Sequence, residues 1–566
     1  MKWIIRILIV MAIIAGAGYL FRQDIFLAVV ERAAKRQFKV GPHQEIDWNR
    51  SDTSANRNND SRPNIVLIMA DDLGWNDISI GGGGLADGTV PTPHIDSIGS
   101  EGIQFTNGYS GHSTCAPSRA AMMSGRYSTR FGFETTPTPE QGGIKKILPF
   151  IINRPSNRPE GSPKVIRHSN EKGAPEIPYE DKGMPTEEIT IAETLKQTGY
   201  HTVHIGKWHL GRTNGMAPED QGFDESLLMF SGLYLPENHP NLVNAALEHD
   251  FRDQLVRKAF RYAASFNNAV GDAFEPGGYL TDYYTDEAVK VIEANKDRPF
   301  FLYLAHWAPH RPLQATKADY DALSHIKDHR LRVYAAMIRA LDRGVGRVME
   351  ALKANGIDDN TMVIFTSDNG GSGSLGLPDV NQPYRGWKLT FFEGGVHVPY
   401  FIRWPARIRP GSKLEAPVHQ FDLYSTAAGA AGVAMPKDRI IDGVNLLDFI
   451  PGINGTAPAK QGQNPHEKLF WRAGNVRVIL ADGWKFLRDN TQGKSWLFDM
   501  KNDPTEQNNL AAKEPERVRD MEAMLARHNA EQKQPAWPIS VEAPVRVDKT
   551  KDAPVEPGDE YIYYAN

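Results

Sequence analysis

Four short apolar runs constrain the fold of this chain more than any other feature. They are "NIVLIMA" (64–70), "TVHIG" (202–206), "FFLYLAHW" (300–307) and "MVIFTS" (362–367). Each is continuous rather than alternating and is bounded by polar residues, the pattern of a strand buried on both faces. Helical patterns lie between them. "EEITIAETLKQTG" (187–199) closes at Gly199 as a helix C-cap would, and "HRLRVYAAMIRALDRGVGRVMEALKANG" (329–356) is a long amphipathic repeat. Strands alternating with helices predict an α/β fold: a large, mostly parallel mixed sheet sandwiched by helices. With 566 residues, 40% of them hydrophobic, the chain can fill such a core. The net charge of −5 gives no ground for a nucleic-acid partner.

The flanking segments differ from this body. Lys2 and Arg6 precede an apolar run from Ile7 to Phe21, and Ala15-Gly16-Ala17 has the small residues of a cleavage site. A cleaved signal peptide and an uncleaved membrane anchor both fit residues 1–22. In either case the body is expected to be exported, to the periplasm or the cell surface. Residues 23–62 read as an amphipathic helix (24–38) followed by a polar linker (41–63). The main α/β domain spans 63–455. Within it, 135–185 and 232–280 are rich in Pro, Gly and charge and read as insertions or lids. From 456 to 535, "KLFWRA", "VRVILA", "WKFLRD" and "SWLFDM" predict an antiparallel meander followed by one helix. Residues 536–566 are expected to be a loosely ordered tail.

In open α/β sheets ligands bind beyond the carboxyl ends of the strands. Asp71 and Asp72 follow the first run, Lys207 and His209 the second, His310 the third, and Asp368 and Asn369 the fourth. His306 is a rival to His310. Asp71, Asp72, Asp368 and Asn369 offer only oxygen ligands, which suit Ca²⁺, or less well Mg²⁺, rather than zinc. Arg119, Lys207, His209, His310 and Lys388 come from separate segments, and their convergence would suit an anion with several oxygens. Trp307, Arg311 and Trp387 are candidates for contact with a sugar ring, packing being the alternative for the tryptophans.

Cys115 is the only cysteine in the chain, so no internal disulfide forms. It stands at or just before a helix opened by Pro117 and continued by "SRAAMMSGRY", where unpaired N–H groups favour an anion. A thiolate there is a plausible nucleophile but a poor match for a hard, oxygen-ligated cation.

The sequence resembles the formylglycine-dependent (type I) sulfatases, arylsulfatase-like and of alkaline-phosphatase-like fold. "CAPSR" (115–119) looks like the family's C-x-P-S-R signal and "GYHTVHIGKWHLG" (199–211) like its second signature. "NIVLIMADDLGW", "FTSDNGG" and "RGWKLTFFEGGVHVP" match its metal and substrate motifs, and "WLFDMKNDPTEQNNLA" its C-terminal region. The resemblance implies a sulfuric ester hydrolase acting on an aryl or carbohydrate sulfate, in which a maturation enzyme converts Cys115 to formylglycine. By the same resemblance, the aldehyde hydrate would carry two hydroxyls: one, activated by Ca²⁺, would attack sulfur and form a covalent sulfate ester as the alcohol leaves, and the other would lose a proton, expelling sulfate and restoring the aldehyde. It further implies that Asp71, Asp72, Asp368, Asn369 and residue 115 hold the cation and that Arg119 steadies the modified residue. Lys207 then bridges it and the sulfate, His209 takes the release proton, and His310 and Lys388 assist the departing oxygen. Two positions depart from the pattern: His397 stands where the family commonly has Arg, and Ser124 replaces a more usual Thr. A phosphoryl hydrolase on the same site and a non-catalytic binder of sulfated glycans are the alternatives.

Overall fold

All four apolar runs become neighbours in one sheet. The structure, a computed structural model, describes residues 22–37, 39–48, 61–137, 161–168, 177–248, 250–268, 271–450, 453, 459–460 and 462–565. Among these, eleven strands form the main sheet: β1 (Val40–Gly41), β2 (Asn64–Ala70), β3 (Ile103–Phe105), β4 (His201–Gly206), β5 (Glu225–Gly232), β6 (Tyr262–Phe266), β7 (Ala273–Phe274), β8 (Phe300–Ala305), β9 (Thr361–Ser367), β10 (Tyr400–Arg403) and β11 (Ser412–Leu414), in the spatial order β1-β7-β6-β5-β4-β8-β2-β9-β10-β3-β11. The central five, β5-β4-β8-β2-β9, are mutually parallel. Antiparallel pairs flank them, β5 with β6 and β9 with β10. Register sets Ala305 opposite both Met69 and Gly206, and Ser367 opposite Ala70, so the carboxyl ends of the central strands lie side by side.

Every residue of β2, β4, β8 and β9 is buried, as unbroken apolar runs require when both faces are covered. Alternation assigns the two faces. Val66 and Ile68 join the core formed with helices Leu280–Asn295 and His329–Ala354, whereas Ile65, Leu67 and Met69 join the core formed with helices Cys115–Ser124, Ile191–Lys196 and Asp422–Ala431. Helix starts follow their capping chemistry. Thr190 and Glu193 form a capping box at Ile191, and the Asp328 carboxylate accepts from the Leu331 N–H at the head of the long helix. A second sheet, β12 (Lys468–Ala473), β13 (Val476–Ala481), β14 (Trp484–Asp489) and β15 (Lys494–Asp499), is an antiparallel meander covered by the helix Pro515–Ala530 through Met521 and Leu525.

Three expectations need correction. Part of the 41–63 linker is built into the body: β1 pairs with β7, and Trp48 is buried with its indole N–H donating 2.7 Å to Glu287. The 232–280 segment is not only an insertion, since β6 and β7 extend the main sheet and Tyr262, Ala264 and Phe274 enter its core. The tail is ordered. Here β16 (Val541–Arg546) and β17 (Tyr561–Ala565) pair antiparallel, with Ile166–Arg167 on the other side of β16. The tail's Pro-rich, charged composition hides the force that orders it, the burial of Tyr561, Ile562, Tyr563 and Tyr564 against the body. The apolar run from Ile7 to Phe21 lies outside the described residues. No helix among the described residues is long and apolar enough to cross a membrane.

Candidate active site

The site begins where the strands stop. Beyond β2 the chain turns at Asp72, which adopts a left-handed φ of 60°. The Asp71 N–H donates to Ala308 O at 3.1 Å, the Asp368 N–H to Ala70 O at 3.2 Å and the Lys207 N–H to Ala305 O at 2.9 Å. The ladder is thus carried one step past the strand ends, fixing the three side chains at one edge. The Asp72 N–H then donates to Asp368 Oδ1 (3.1 Å), and Asn369 Nδ2 to Asp72 Oδ1 (2.8 Å).

Helix Cys115–Ser124 delivers Cys115 and Arg119 to this edge. Its N-cap is Thr114, whose backbone is extended, and all ten helical residues are buried. Gln420 ties it to β9: its side-chain oxygen accepts from the Gly111 N–H (3.2 Å) and the Ser118 hydroxyl (2.9 Å), while its amide donates to Thr366 Oγ1 (2.9 Å) and Ser367 O (2.5 Å). Arg119, fully buried, spends its guanidinium on the acidic group. Nε and Nη2 donate to Asp368 Oδ2 (2.9 and 2.8 Å), Nη2 also to Asp71 Oδ2 (2.9 Å), and Nη1 to Lys207 O (3.1 Å) and the Tyr303 hydroxyl (3.0 Å). This is the fixed fork that distinguishes Arg from Lys.

The remaining cations close around residue 115. Lys207 Nζ lies 2.5 Å from Asp71 Oδ2 and 4.0 Å from Asp368 Oδ2. Lys388 Nζ lies 2.5 Å from Asp72 Oδ1 and 3.0 Å from the Cys115 sulfur. That sulfur is 3.7 Å from Asp71 Oδ1 and from Asp72 Oδ1. His310 Nε2 sits 3.5 Å from Asp72 Oδ2, its ring packed on Trp307. Asp71, Asp72, Cys115 and His310 present ligand atoms all within 4.8 Å of one another. His209, at a left-handed φ of 65°, has a buried Nδ1 without a hydrogen-bond partner.

Burial and charge set the protonation states. Burial, reinforced by Asp368, pushes Asp71 up to about 6. Burial would raise Asp72 as well, but Lys388 and Lys207 overcome it and hold the carboxyl below its usual range. Burial first, then the cations Lys207, Arg119 and Lys388, keep His209 neutral, and burial with Lys388 and Lys207 does the same for His310. Burial pushes the Cys115 thiol well up, so Cys115 is not an activated thiolate.

The structure therefore gathers Asp71, Asp72, Cys115, Arg119, Lys207, His310, Asp368, Asn369 and Lys388 through direct contacts, with His209 in their electrostatic field. His310 rather than His306 reaches the carboxylates; His306 is fully buried and neither ring nitrogen has a hydrogen-bond partner. Trp307 and Trp387 are 5% exposed and act in packing. His397 pairs with Glu393 (2.8 Å) and approaches Thr106 O (2.9 Å), and Ser124 Oγ donates to Ala120 O within its own helix. Three residues that hold the site were not apparent in the sequence. Tyr303 carries the one side-chain hydroxyl in an otherwise apolar β8, which was a usable signal. Gln420 and Tyr564, whose hydroxyl donates to Thr114 Oγ1 at 3.1 Å, carried none.

Comparison with known proteins gives the family. The sulfatase family model matches residues 63–433, and the model described as "N-sulphoglucosamine sulphohydrolase, C-terminal" matches 386–534. A sulfatase of Formosa agariphila is 30% identical over 537 residues, covering 86% of this chain and 90% of its own. The N-acetylgalactosamine-6-sulfatase of Homo sapiens is 31% identical, covering 77% and 73%. The crystal structure of Ps i-CgsB in complex with k-i-k-neocarrahexaose superposes with a TM-score of 0.66 at 31% identity, over 84% of this chain and 94% of that one. From the strand-end carboxylates to the meander that follows them, this chain belongs to the sulfatase family and is a sulfuric ester hydrolase.

Proposed function

We propose that the chain hydrolyses carbohydrate sulfate esters at residue 115, after a maturation enzyme has converted Cys115 to formylglycine, with calcium held by Asp71, Asp72, Asp368, Asn369 and residue 115. The observation that carries this reading is the set of carboxylates at the strand ends wrapped around the head of a helix that begins with Cys115. The donors fit a hard cation. They are oxygens from separate strands, and Asn369 gives both amide hydrogens' side to Asp72 and Gly370, leaving a buried Oδ1 with no hydrogen-bond partner. When present, formylglycine hydrate supplies a nucleophilic hydroxyl and a second hydroxyl for release, and calcium supplies Lewis-acid stabilisation of charge on oxygen.

The chain's own residues do the rest. Arg119 locks Asp71 and Asp368 in place. Lys207 and Lys388 flank residue 115 and bind sulfate oxygens. His209 offers a buried Nδ1 with no hydrogen-bond partner as the proton acceptor, a transfer that the negative charge of the bound sulfate must favour against the surrounding cations, and His310, oriented by its contact with Arg311 O at 2.6 Å, stands beside the departing oxygen. Three carboxylates face three side-chain cations in this cluster, so a bound divalent ion makes the pocket net positive, which favours an anionic ester. A sulfated carbohydrate is supported by relatives named for N-acetylgalactosamine 6-sulfate and by the neocarrahexaose bound to Ps i-CgsB.

The test uses protein co-produced with a formylglycine-generating enzyme. Mass spectrometry of the peptide spanning residue 115 is expected to show an aldehyde in place of the thiol. The matured protein is expected to turn over 4-nitrophenyl sulfate much faster than 4-nitrophenyl phosphate and to lose activity to a chelator until calcium is restored. Cys115→Ser should fold and lose multiple turnover, because a serine sulfate ester has no second hydroxyl to expel sulfate. Sustained turnover by that variant at the wild-type rate contradicts the reading.

A further inference from the structure

Asn381 is buried where three loops of the site meet. Its own segment is set down by the turn Trp75–Asp77, which follows the paired carboxylates: the Asn76 N–H donates to Val380 O and Asn76 Nδ2 to Asp379 O, both at 3.0 Å. A Cβ on Gly74 would stand 2.1 Å from Val380 O and 2.7 Å from Asn381 Oδ1, so the loop that carries Asp71 and Asp72 lies directly against this amide. The amide bonds only to backbone. Oδ1 accepts from the Gly371 N–H at 2.8 Å, while Nδ2 donates to Gly371 O at 3.0 Å and to Gly386 O at 3.1 Å. Gly371 stands two residues beyond Asn369, and Gly386 two residues before Lys388.

These bonds converge on Lys388. Gly371 O, which accepts from Asn381, also accepts the Lys388 N–H at 3.0 Å. From the other side the Leu389 N–H donates at 2.9 Å to the carbonyl of Ser113, two residues before Cys115. Leu389 has a φ of 78°, a left-handed conformation that a residue with a Cβ keeps only where its surroundings impose it. The Lys388 backbone is thus stapled between the loop of Asn369 and the loop of Cys115. From there its Nζ reaches Asp72 Oδ1 at 2.5 Å and the Cys115 sulfur at 3.0 Å.

Resting on the function proposed above, we infer that Asn381 is a positioning residue for Lys388: its three bonds fix the Gly371 carbonyl and the Gly386 turn from which that lysine is aimed at residue 115 and at the sulfate oxygens. An asparagine suits the task because one planar amide offers an acceptor and two donors. Without it the buried Gly371 N–H and Gly386 O each lose a partner, and the two loops are no longer held in one register. A flexible four-carbon side chain has no other means of keeping its ammonium on target than the backbone that carries it.

A double-mutant cycle on the matured, calcium-loaded chain with 4-nitrophenyl sulfate tests this. Asn381→Ala is expected to lower kcat/KM about 100-fold, and Lys388→Ala about 1,000-fold. The double variant should lie within about threefold of Lys388→Ala, because there is no lysine left to position. Asn381→Ala should also raise the inhibition constant of inorganic sulfate about tenfold, the effect of one charge-assisted hydrogen bond, whereas a mere loss of folded protein leaves that constant unchanged. Asn381→Asp keeps the shape and the bond from the Gly371 N–H but turns an acceptor toward two carbonyls; it replaces the alanine variant, with the same expectations, should that one not fold. Wild-type kcat/KM in the Asn381 variant, an unchanged sulfate constant, or a double variant about another 100-fold below Lys388→Ala overturns the inference. If the matured wild type hydrolyses no sulfate ester, the hydrolytic reading ends and crystal structures of the wild type and the Asn381 variant decide this inference alone. A Lys388 Nζ displaced by about 1 Å or more from Asp72 Oδ1 and residue 115 sustains it, and an unmoved ammonium overturns it.

Discussion

Arg119 shows how much of a site one side chain can organise. Four acceptors, the carboxylates of Asp71 and Asp368, the carbonyl of Lys207 and the hydroxyl of Tyr303, are held by one buried guanidinium. Removing it strands two buried carboxylates, so Arg119→Met is expected to lower stability by about 3–5 kcal/mol in urea unfolding. Arg119→Lys keeps the charge but loses the fork. It should cost less stability yet shift the strand-end carboxylates enough to lower sulfate-ester hydrolysis by about 100-fold. Wild-type activity in Arg119→Lys would mean that charge alone, not geometry, is what the site needs. Asp71, Asp368 and Lys207 were legible in the sequence because each follows directly on a buried strand, and Arg119 because it belongs to the "CAPSR" segment that opens the helix Cys115–Ser124. Gln420 was not, since its partners Gly111, Ser118, Thr366 and Ser367 are remote in sequence and no local pattern marks a glutamine that joins a helix to a strand.

Elements transmit these positions, and β4 does so through its last residue. Gly206 has a φ of +106°, and a Cβ there would lie 2.0 Å from Ala305 O, the carbonyl that receives the Lys207 N–H. Gly206→Ala must therefore force β4 away from β8 just where Lys207 emerges. The expected outcome is a loss of about 3 kcal/mol in stability, from left-handed strain and overpacking together, accompanied by loss of hydrolysis. A variant with the wild-type unfolding midpoint would show that this strand end can separate freely. The parallel strands were readable because continuous apolar runs have few other uses. The tail strands were not: β16 contains Pro544, β17 is a five-residue run of Tyr, Ile and Ala, and the third partner of their sheet, Ile166–Arg167, is hundreds of residues away. Pairing of that kind is decided by tertiary burial rather than by local propensity. The same holds for Trp48, a single aromatic in a polar stretch that one hydrogen bond and a strand-edge pairing draw into the body.

At the scale of the whole molecule, the main domain and the C-terminal meander are joined by a buried cluster of charge. Lys485, in the middle sheet strand β14, is fully buried and lies 2.6 Å from Glu393 Oε1 and 2.9 Å from Glu506 Oε1. The second oxygen of Glu506 accepts from the Glu393 N–H at 2.6 Å, and Glu393 Oε2 receives the Tyr109 hydroxyl (3.1 Å) and faces His397 Nδ1 (2.8 Å). Burial alone would raise Glu393, but Lys485 and His397 hold it down to about 2; burial pushes Glu506, which lacks the histidine, up to about 7. Glu393 opens the short turn that follows the Lys388 loop, so a lysine from the meander braces the loop that carries a site residue. A buried ion pair costs most when one member is removed and much less when the whole is replaced. Lys485→Met should accordingly lower stability by about 3–5 kcal/mol, because Glu506 is left without its ammonium. Adding Glu506→Gln, whose side-chain oxygen can still accept from the Glu393 N–H, should recover more than about 1 kcal/mol even though it is a second substitution at the same seam. Urea unfolding of the wild type, both single variants and the double variant measures the coupling. Purely additive losses would mean that the seam is held by the apolar packing of Phe392, Trp496 and Phe498 and not by its charges.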